Sequence, residues 1–379
     1  MFIHGLVRDA EKQKMAKTRG NVIDPIEVIG KYGTDAVRYS LVASAGQGSD
    51  VVLSEERIAG YRTFANKVWN AARFVFLSLE RSGAEPWTPA DCNTYQPEAS
   101  ASGEVPLEDR WIFSRLNEVA RLANEHIEKF RYHEAANVLY QFFWHEFCDW
   151  YVELKKPAFT EDSGLTPEWR NMLAAMERAL RLLHPLTPFI TEELWQRLAA
   201  NTAERPKSLA LAAYPQYSPE LADVEAERKV DALQNAISAV RTLKAELGID
   251  PKAALAGTFF GHTEEAAAVI EEQAGAVRRL ANAELKVVRG KAPEGKAMHH
   301  ETAFDLVLEL PEGETKALRE RLEKQLQQLT KARDSSKRQL GNQEFLSKAP
   351  PNVVESIRAK LADYESQIER ITSTLRMLP

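Results

Sequence analysis

The stretch that decides the fold lies near the start of the chain and reads Lys14-Met15-Ala16-Lys17-Thr18-Arg19-Gly20-Asn21-Val22-Ile23-Asp24-Pro25. Its two lysines, three positions apart, precede Gly20-Asn21, a pair that favours a turn. A lysine ammonium is a compact charge on a flexible stem, so two of them can hold a polyphosphate and follow it as it leaves. From the spacing alone, a solvated basic loop is the simpler interpretation. We call residues 14–21 the lysine loop.

The segments on either side of the lysine loop carry a family resemblance. Ile3-His4-Gly5-Leu6-Val7-Arg8-Asp9 leads in, and Tyr32-Gly33-Thr34-Asp35-Ala36-Val37-Arg38 follows it. Together with them, the lysine loop resembles the Lys-Met-Ser-Lys-Ser loop of class I aminoacyl-tRNA synthetases. Within that class the chain is similar to the valyl enzymes, and this similarity continues to its last residues.

The resemblance implies a role for both lysines. Lys17 is expected to stabilise the charge that develops on pyrophosphate during adenylate formation, with Lys14 assisting, in a site that binds ATP together with Mg²⁺. Ala16 and Thr18 stand where the family has serines. The missing hydroxyl at position 16 removes one hydrogen bond that would hold the closed loop.

The resemblance covers only the C-terminal part of the family's protein. The His-Ile-Gly-His motif of class I synthetases and the family's inserted editing domain are absent from the sequence. We therefore expect a chain that cannot form an adenylate by itself. The complete enzyme takes valine, ATP and tRNA(Val).

Composition and charge narrow the class of protein. The 379 residues are 44% apolar, with no apolar run long enough to span a bilayer. Cys92 and Cys148 are too few for a disulfide framework or a zinc site, so we expect a cytoplasmic protein without a protein-bound metal. We also expect a monomer. The net charge is −6, but residues 315–379 hold 13 Lys/Arg and 8 Asp/Glu, or +5, which leaves −11 elsewhere. This asymmetry favours a polyanionic partner for the C-terminal segment.

The periodicity predicts a mainly α protein in four parts. The resemblance implies that residues 1–53 are the end of a class I Rossmann catalytic domain and that residues 54–224 are the anticodon-binding domain. The helical periodicity of residues 54–224, which open with a capping serine, predicts a helical bundle. Residues 225–311 combine a long helix, strand-like runs and a second helix around residues 264–282 in a small α/β unit. Residues 312–379 carry apolar residues at steps of three and four on two helices, which predicts an antiparallel coiled-coil hairpin. The resemblance implies that this hairpin binds tRNA.

A second candidate site lies on the first helix of the bundle. Lys67, Asn70, Arg73 and Phe74 are predicted to share one face, where cations, an amide and a ring can clamp unstacked RNA bases. From spacing alone, a core position for the aromatic residues and solvated cations are the better interpretation. The stretch resembles the family's anticodon-reading helix, which implies tRNA contacts for these four residues and, more weakly, for Arg57.

Four other stretches have structural interpretations or remain open. Residues 142–151 combine aromatic residues with His145, Cys148 and two acids, and we expect a bundle core in which Glu146 or Asp149 meets a cation. Residues 184–195 resemble a turn and helix common to the class, with Thr191 as the cap. His299-His300 is predicted to lie in a loop. Residues 342–350 resemble the tip of the family's tRNA-binding arm.

An alternative of another class remains open. The chain could be a non-catalytic RNA-binding or scaffold protein whose C-terminal helices form a dimerisation zipper. Salt separates the two, because phosphate-driven binding weakens steeply with salt and an apolar zipper does not.

Overall fold

The structure is a computed structural model that describes residues 5–46, 48–198, 205–294, 298–310, 312–342, 345 and 350–377. The protein is mainly helical, with two small sheets. It forms two compact units, residues 1–230 and residues 231–379. The division into four domains stays a prediction. None of the helices among the described residues is long and apolar enough to cross a membrane.

The first unit opens with the segment around the lysine loop. Strands β1 (Val7–Arg8) and β2 (Val51–Val52) pair in parallel, and helices α1 (Pro25–Tyr32) and α2 (Thr34–Ser44) lie between them in sequence. Asp24 caps α1 as Asp-Pro predicts, since its carboxylate accepts from the Ile26 N–H at 2.9 Å. A small apolar cluster that includes Val28 and Ile58 joins these elements to the next helix.

The rest of the first unit consists of helices that pack together as a bundle. Ser54 caps the first helix through the Arg57 N–H, and Thr166 caps a later one through the Trp169 N–H. The helices are α3 (Glu55–Arg81), α4 (Leu107–Glu128), α5 (Tyr132–Gln141), α6 (Val152–Lys155), α7 (Pro167–Leu183) and α8 (Pro188–Leu198). They bury one continuous core.

Between α5 and α6 the backbone is π-helical over Phe142–Tyr151. The periodicity did not reveal this, because the steps of four between the buried Phe143, Phe147 and Tyr151 fit a π-helix as well as an α-helix. The predicted core is confirmed: Phe143, Phe147 and Tyr151 are buried, and the Glu146 carboxylate meets the Arg115 guanidinium at 2.7 Å. Burial raises the pKa of the Cys148 thiol to about 12.

The second unit contains the predicted α/β elements. Helix α9 (Val224–Leu247) begins in the first unit and leads to a sheet of order β4-β3-β6-β5, in which β3 runs parallel to β4 and antiparallel to β6. The elements are β3 (Leu255–Gly261), α10 (Glu264–Glu272), α11 (Ala274–Ala281), β4 (Ala283–Arg289), β5 (His299–His300) and β6 (Phe304–Glu309).

Two predictions for this unit were wrong in detail. The helix expected around residues 264–282 is two helices separated at Gln273. The pair His299-His300 is a short edge strand and not a loop. The His300 Nδ1 contacts the Asp305 carboxylate at 2.8 Å. His262 and the Ala292 N–H also contact this carboxylate.

The last two helices pack against each other: α12 (Glu312–Gly341) and α13 (Pro351–Met377). Leu322 and Ile371 are buried, and Lys337 Nζ contacts the Glu365 carboxylate at 2.7 Å. The less exposed positions of α13 follow the predicted seam of apolar residues at steps of three and four. Most of the predicted tip at residues 342–350 lies outside the described residues.

Candidate nucleic-acid interface

The lysine loop turns back onto the strand that precedes it. Arg8 and Lys14 form an antiparallel bridge, and Lys17–Arg19 make a single 3₁₀ turn. Gly20 ends this turn at a φ of 67°, a left-handed conformation that favours glycine. Lys14 and Lys17 are both exposed.

The Asn21 side chain fixes the shape of the loop. Its Oδ1 accepts from the Ala16 N–H at 2.9 Å, and its Nδ2 donates to Asp9 at 2.7 Å and to the Lys14 carbonyl at 3.3 Å. The bond from Asn21 lowers the pKa of the Asp9 carboxyl. The sequence predicted only a turn at Asn21. An amide that follows a glycine in a loop is the signal for this role, since it can both donate to and accept from the backbone.

The charges of the loop are available to a ligand. Among the residues that the structure describes, no carboxylate pairs with the ammonium of Lys14 or Lys17, whereas nearby Arg8 is paired with Asp50. The site therefore presents two exposed, unneutralised ammonium groups from a hydrogen-bonded loop. Such an arrangement suits a polyanion such as a polyphosphate.

The predicted face on α3 divides between two sides of the helix. Positions 67 and 73 lie about 120° apart around a helix, so Lys67 and Arg73 cannot face one point. Lys67 faces the π-helical segment, Phe74 lies beside Lys156, just after α6, and helical geometry places Asn70 on the same side. Arg73 lines a 330 Å³ cavity with Trp69 and residues of α8. The prediction of one shared face was wrong for Arg73.

Lys67 already has protein partners. Its Nζ contacts the Asp149 carboxylate at 2.5 Å and lies 4.1 Å from the centre of the Trp144 ring. Phe74 is half-buried, with Lys156 Nζ 5.2 Å from its ring centre. Asn70 is exposed. A base-clamping role for Lys67 thus requires an exchange of the Asp149 carboxylate for a ligand.

Arg57 lies apart from these residues, near the start of α3. It is exposed and lines a second 330 Å³ cavity, together with the half-buried rings of Tyr61 and Tyr140. The His133 Nδ1 at this cavity is buried without a hydrogen-bond partner among the described residues. Rings, an imidazole and a guanidinium are groups that contact unstacked nucleotides.

Helix α2 ties the lysine-loop segment to the bundle. The buried Asp35 carboxylate accepts from the Ile190 N–H at 2.7 Å and the Phe189 N–H at 3.3 Å, and so caps α8. Burial raises the Asp35 pKa, although these bonds oppose the shift. Thr191, which was predicted to cap this helix, lies inside its first turn and donates to the Thr187 carbonyl at 2.7 Å. The cap comes from a residue 155 positions before Ile190, which local sequence does not reveal.

No group of three or more metal-binding side chains occurs among the residues described.

Comparisons with known proteins divide the chain into three matched regions. Residues 1–54 match the family described as tRNA synthetases class I (I, L, M and V). Residues 109–258 match the anticodon-binding domain of tRNA ligase, and residues 315–379 match the valyl tRNA synthetase tRNA binding arm.

Relatives with the name valine–tRNA ligase match over nearly the whole chain. The chain is 49% identical to the one from Solibacter usitatus, over 98% of this chain and 40% of the relative. It is 39% identical to that from Syntrophotalea carbinolica, over 100% of this chain and 41% of the relative. A LeuRS structure with tRNA from Agrobacterium radiobacter, at 21% identity over 59% of this chain and 25% of that one, has a TM-score of 0.44, too low to support a conclusion.

The chain thus spans about 40% of the length of the curated relatives it matches. The three matched families and the identity over nearly the whole chain indicate the same kind of protein. The chain belongs to the valine–tRNA ligase family, in which it corresponds to a C-terminal portion.

Proposed function

We propose that this chain acts as the C-terminal part of a ligase that attaches valine to tRNA(Val) with ATP. The observation that carries the proposal is the pair of exposed, unneutralised lysines on a loop fixed by Asn21, in a segment that matches class I tRNA synthetases. The chain supplies this loop and the surfaces that hold tRNA.

In the proposed reaction, the valine carboxylate attacks the α-phosphorus of ATP, and the bond to the bridging oxygen of the β-phosphate breaks. Lys17, assisted by Lys14, stabilises the charge that this oxygen gains as pyrophosphate leaves. Mg²⁺ accompanies ATP as its counterion. Asn21 holds the backbone at Ala16 and Lys14, so that both ammonium groups keep their positions.

We also propose that Lys67, Asn70, Arg73, Phe74 and Arg57 contact tRNA(Val). Phe74 stacks on a base, and the cations contact phosphates or base edges. The division of these residues between two sides of α3 favours a strand of RNA that passes over the helix, because a single base cannot reach both sides.

The C-terminal helices are proposed to form an antiparallel coiled-coil arm that contacts the tRNA backbone. The packing of α12 against α13 supports this, because it uses the apolar seam within one chain. It disfavours the scaffold alternative, in which the seam joins two chains. We accordingly propose a monomer in the cytoplasm.

Binding of the chain to tRNA(Val) and to a non-cognate tRNA, across a salt series, tests the proposal. We expect a preference for tRNA(Val) that the triple variant K67A/R73A/F74A loses. The matched control R121A/K129A/F130A removes the same residue types from exposed positions on and after α4 and retains the preference. Equal, weak binding to both tRNAs by the unmodified chain overturns the proposal.

The chain by itself is proposed not to form adenylate, because its sequence holds no His-Ile-Gly-His motif. Valine-dependent exchange of pyrophosphate into ATP by the purified chain would contradict this.

A further inference from the structure

The second unit contains a cavity that the proposed tRNA contacts do not use. It has a volume of about 570 Å³ and lies where β3 begins and where α11 turns into β4. Gly275, Arg278, Arg279, Asn282 and Glu284 line it, together with the start of β3. We call it the α11–β4 cavity. The matched anticodon-binding family ends at residue 258 and the matched arm begins at residue 315, so most of its lining lies between the two.

The backbone keeps the cavity open. Asn282 adopts a left-handed conformation, with a φ of 47°, which turns the chain sharply from α11 into β4. Gly275 lies at the lining, and a Cβ placed there meets nothing within 4 Å. Small residues leave this space unfilled, and a ligand can enter it.

A buried cation lies behind one wall of the cavity. Lys244 is 1% exposed, and its ammonium donates to the carbonyls of Ala253, Ala281 and Asn282 at 2.6, 2.7 and 3.0 Å. All three acceptors are neutral carbonyls, and Asp250 is a nearby carboxylate that acts on this ammonium. Arg241 adds a second cation nearby, through bonds from its guanidinium to the Leu280 carbonyl.

Two more cations lie at the cavity itself. Arg278 and Arg279 are exposed, and the Arg278 guanidinium contacts the Glu284 carboxylate at 3.2 Å. Both side chains of this pair are about 70% exposed, at 74% and 69%. Such a surface pair contributes little, so an incoming anion can replace the carboxylate at low cost.

We propose that the α11–β4 cavity binds phosphate groups of the tRNA backbone. The guanidinium fork of arginine matches phosphate oxygens in a bidentate contact, and the buried Lys244 adds attraction that needs no side-chain movement. Contacts of this kind position an RNA and carry no sequence information. The inference rests on the proposed function, because it assumes that the chain binds tRNA.

The test compares variants of the full chain in tRNA(Val) binding across a salt series. R278A/R279A is expected to bind about 10-fold more weakly at low salt, with a log–log salt slope shallower by about 0.7–0.9 per lost phosphate contact. R289A/K291A removes two exposed cations around the other end of β4 and is expected to keep the slope of the unmodified chain.

A second pair of variants leaves every cation in place. G275E adds a carboxylate at the lining and is expected to weaken binding, whereas G275A adds only a methyl group to the same open position and keeps it. Thermal unfolding of each variant verifies that it folds.

The outcomes separate the two proposals. If the unmodified chain does not bind tRNA, the proposed function fails. If it binds and neither R278A/R279A nor G275E changes affinity or slope, the cavity inference alone is overturned. ATP at constant ionic strength is a further probe: competition with tRNA that disappears in R278A/R279A would assign a free nucleotide to the cavity and overturn the RNA assignment.

Discussion

The cations of the lysine loop and those of the helical bundle are used in opposite ways. Lys14 and Lys17 are exposed and meet no carboxylate among the described residues. In the bundle, Lys155 is buried against the Asp109 carboxylate at 2.8 Å, and Lys67 is paired with Asp149. A paired, buried cation holds the fold together, whereas an unpaired one on a fixed loop is available to a ligand. Lys67 is intermediate, because it is paired with Asp149 but is only partly buried.

The largest expected effect is on the alkylation rate of the two cysteines, which are buried inside the bundle. Burial raises the pKa of Cys92 and of Cys148 to about 12, so both thiols stay neutral at pH 8. The ordinary pKa of a cysteine thiol is 9.0, so the raised pKa contributes to the free energy of unfolding below pH 9. This contribution is lost as the pH rises from 9 towards 12. Native-state alkylation at pH 8 should be at least ~1,000-fold slower than that of a free thiol. A T18C variant supplies an exposed thiol in the lysine loop that reacts fast. Equal rates would contradict the comparison.

The buried ion pair should be the most sensitive point of the bundle's stability. Asp109 accepts from Lys155, from the Tyr151 hydroxyl and from the Asn171 amide, each at 2.8–2.9 Å. D109A leaves the buried Lys155 ammonium with only the more distant Glu108 carboxylate, at 3.8 Å, and should lower the free energy of unfolding by about 3–5 kcal/mol. Urea unfolding followed by circular dichroism measures this loss. E193A, which removes an exposed pair with Arg197, should cost less than about 1 kcal/mol.

In the lysine loop, removal of a lysine side chain should lower the rate of valine activation and leave the free energy of unfolding unchanged. In a full-length ligase that contains this segment, K17A should lower the rate of valine activation by about 100–1,000-fold. Pyrophosphate exchange measures this rate. K12N is the control, because asparagine tolerates the left-handed φ of 61° at this exposed position of the same segment. A similar loss in both variants would show that the effect is not specific to Lys17.

The loop's internal support should have a smaller effect than its charge. N21A removes the bonds to the Ala16 N–H, the Asp9 carboxylate and the Lys14 carbonyl, and should slow valine activation about 10-fold. Unfolding should change little, since the loop buries no residue. An unchanged rate of pyrophosphate exchange in N21A would show that Asn21 does not position the two lysines.

The smallest expected effect distinguishes the two roles of Lys67. K67A should weaken tRNA(Val) binding by about 5-fold, through one lost charge contact. D149N releases the ammonium and removes a nearby negative charge, so it should bind as tightly as the unmodified chain or more tightly. Titrations of both variants measure the difference. Equal weakening in D149N and K67A would mean that the ion pair serves the fold alone.

Local sequence predicted the helices and strands, but few of the contacts between them. Ser54 and Asp24 marked helix starts correctly, because caps act within one turn. The sequence predicted that Glu146 or Asp149 meets a cation, but not that Lys67 is the partner of Asp149. It also did not predict the Asp35 cap on α8 or the π-helical segment. The two contacts depend on residues far apart in the chain, and in the π-helical segment the steps of four between buried aromatic residues fit either type of helix. Both lysines of the candidate site were identified by family resemblance, since their spacing alone favoured a solvated loop.

Residue-resolved acetylation of the native chain, read by mass spectrometry, tests the contrast between available and structural cations most directly. We expect Lys14 and Lys17 to react fast. Lys67 should react slowly and be protected further by tRNA(Val), and Lys155 should not react until the bundle unfolds. Modification of Lys155 at the rate of Lys17, or protection of Lys17 equal to that of Lys155 without any ligand, would contradict this contrast.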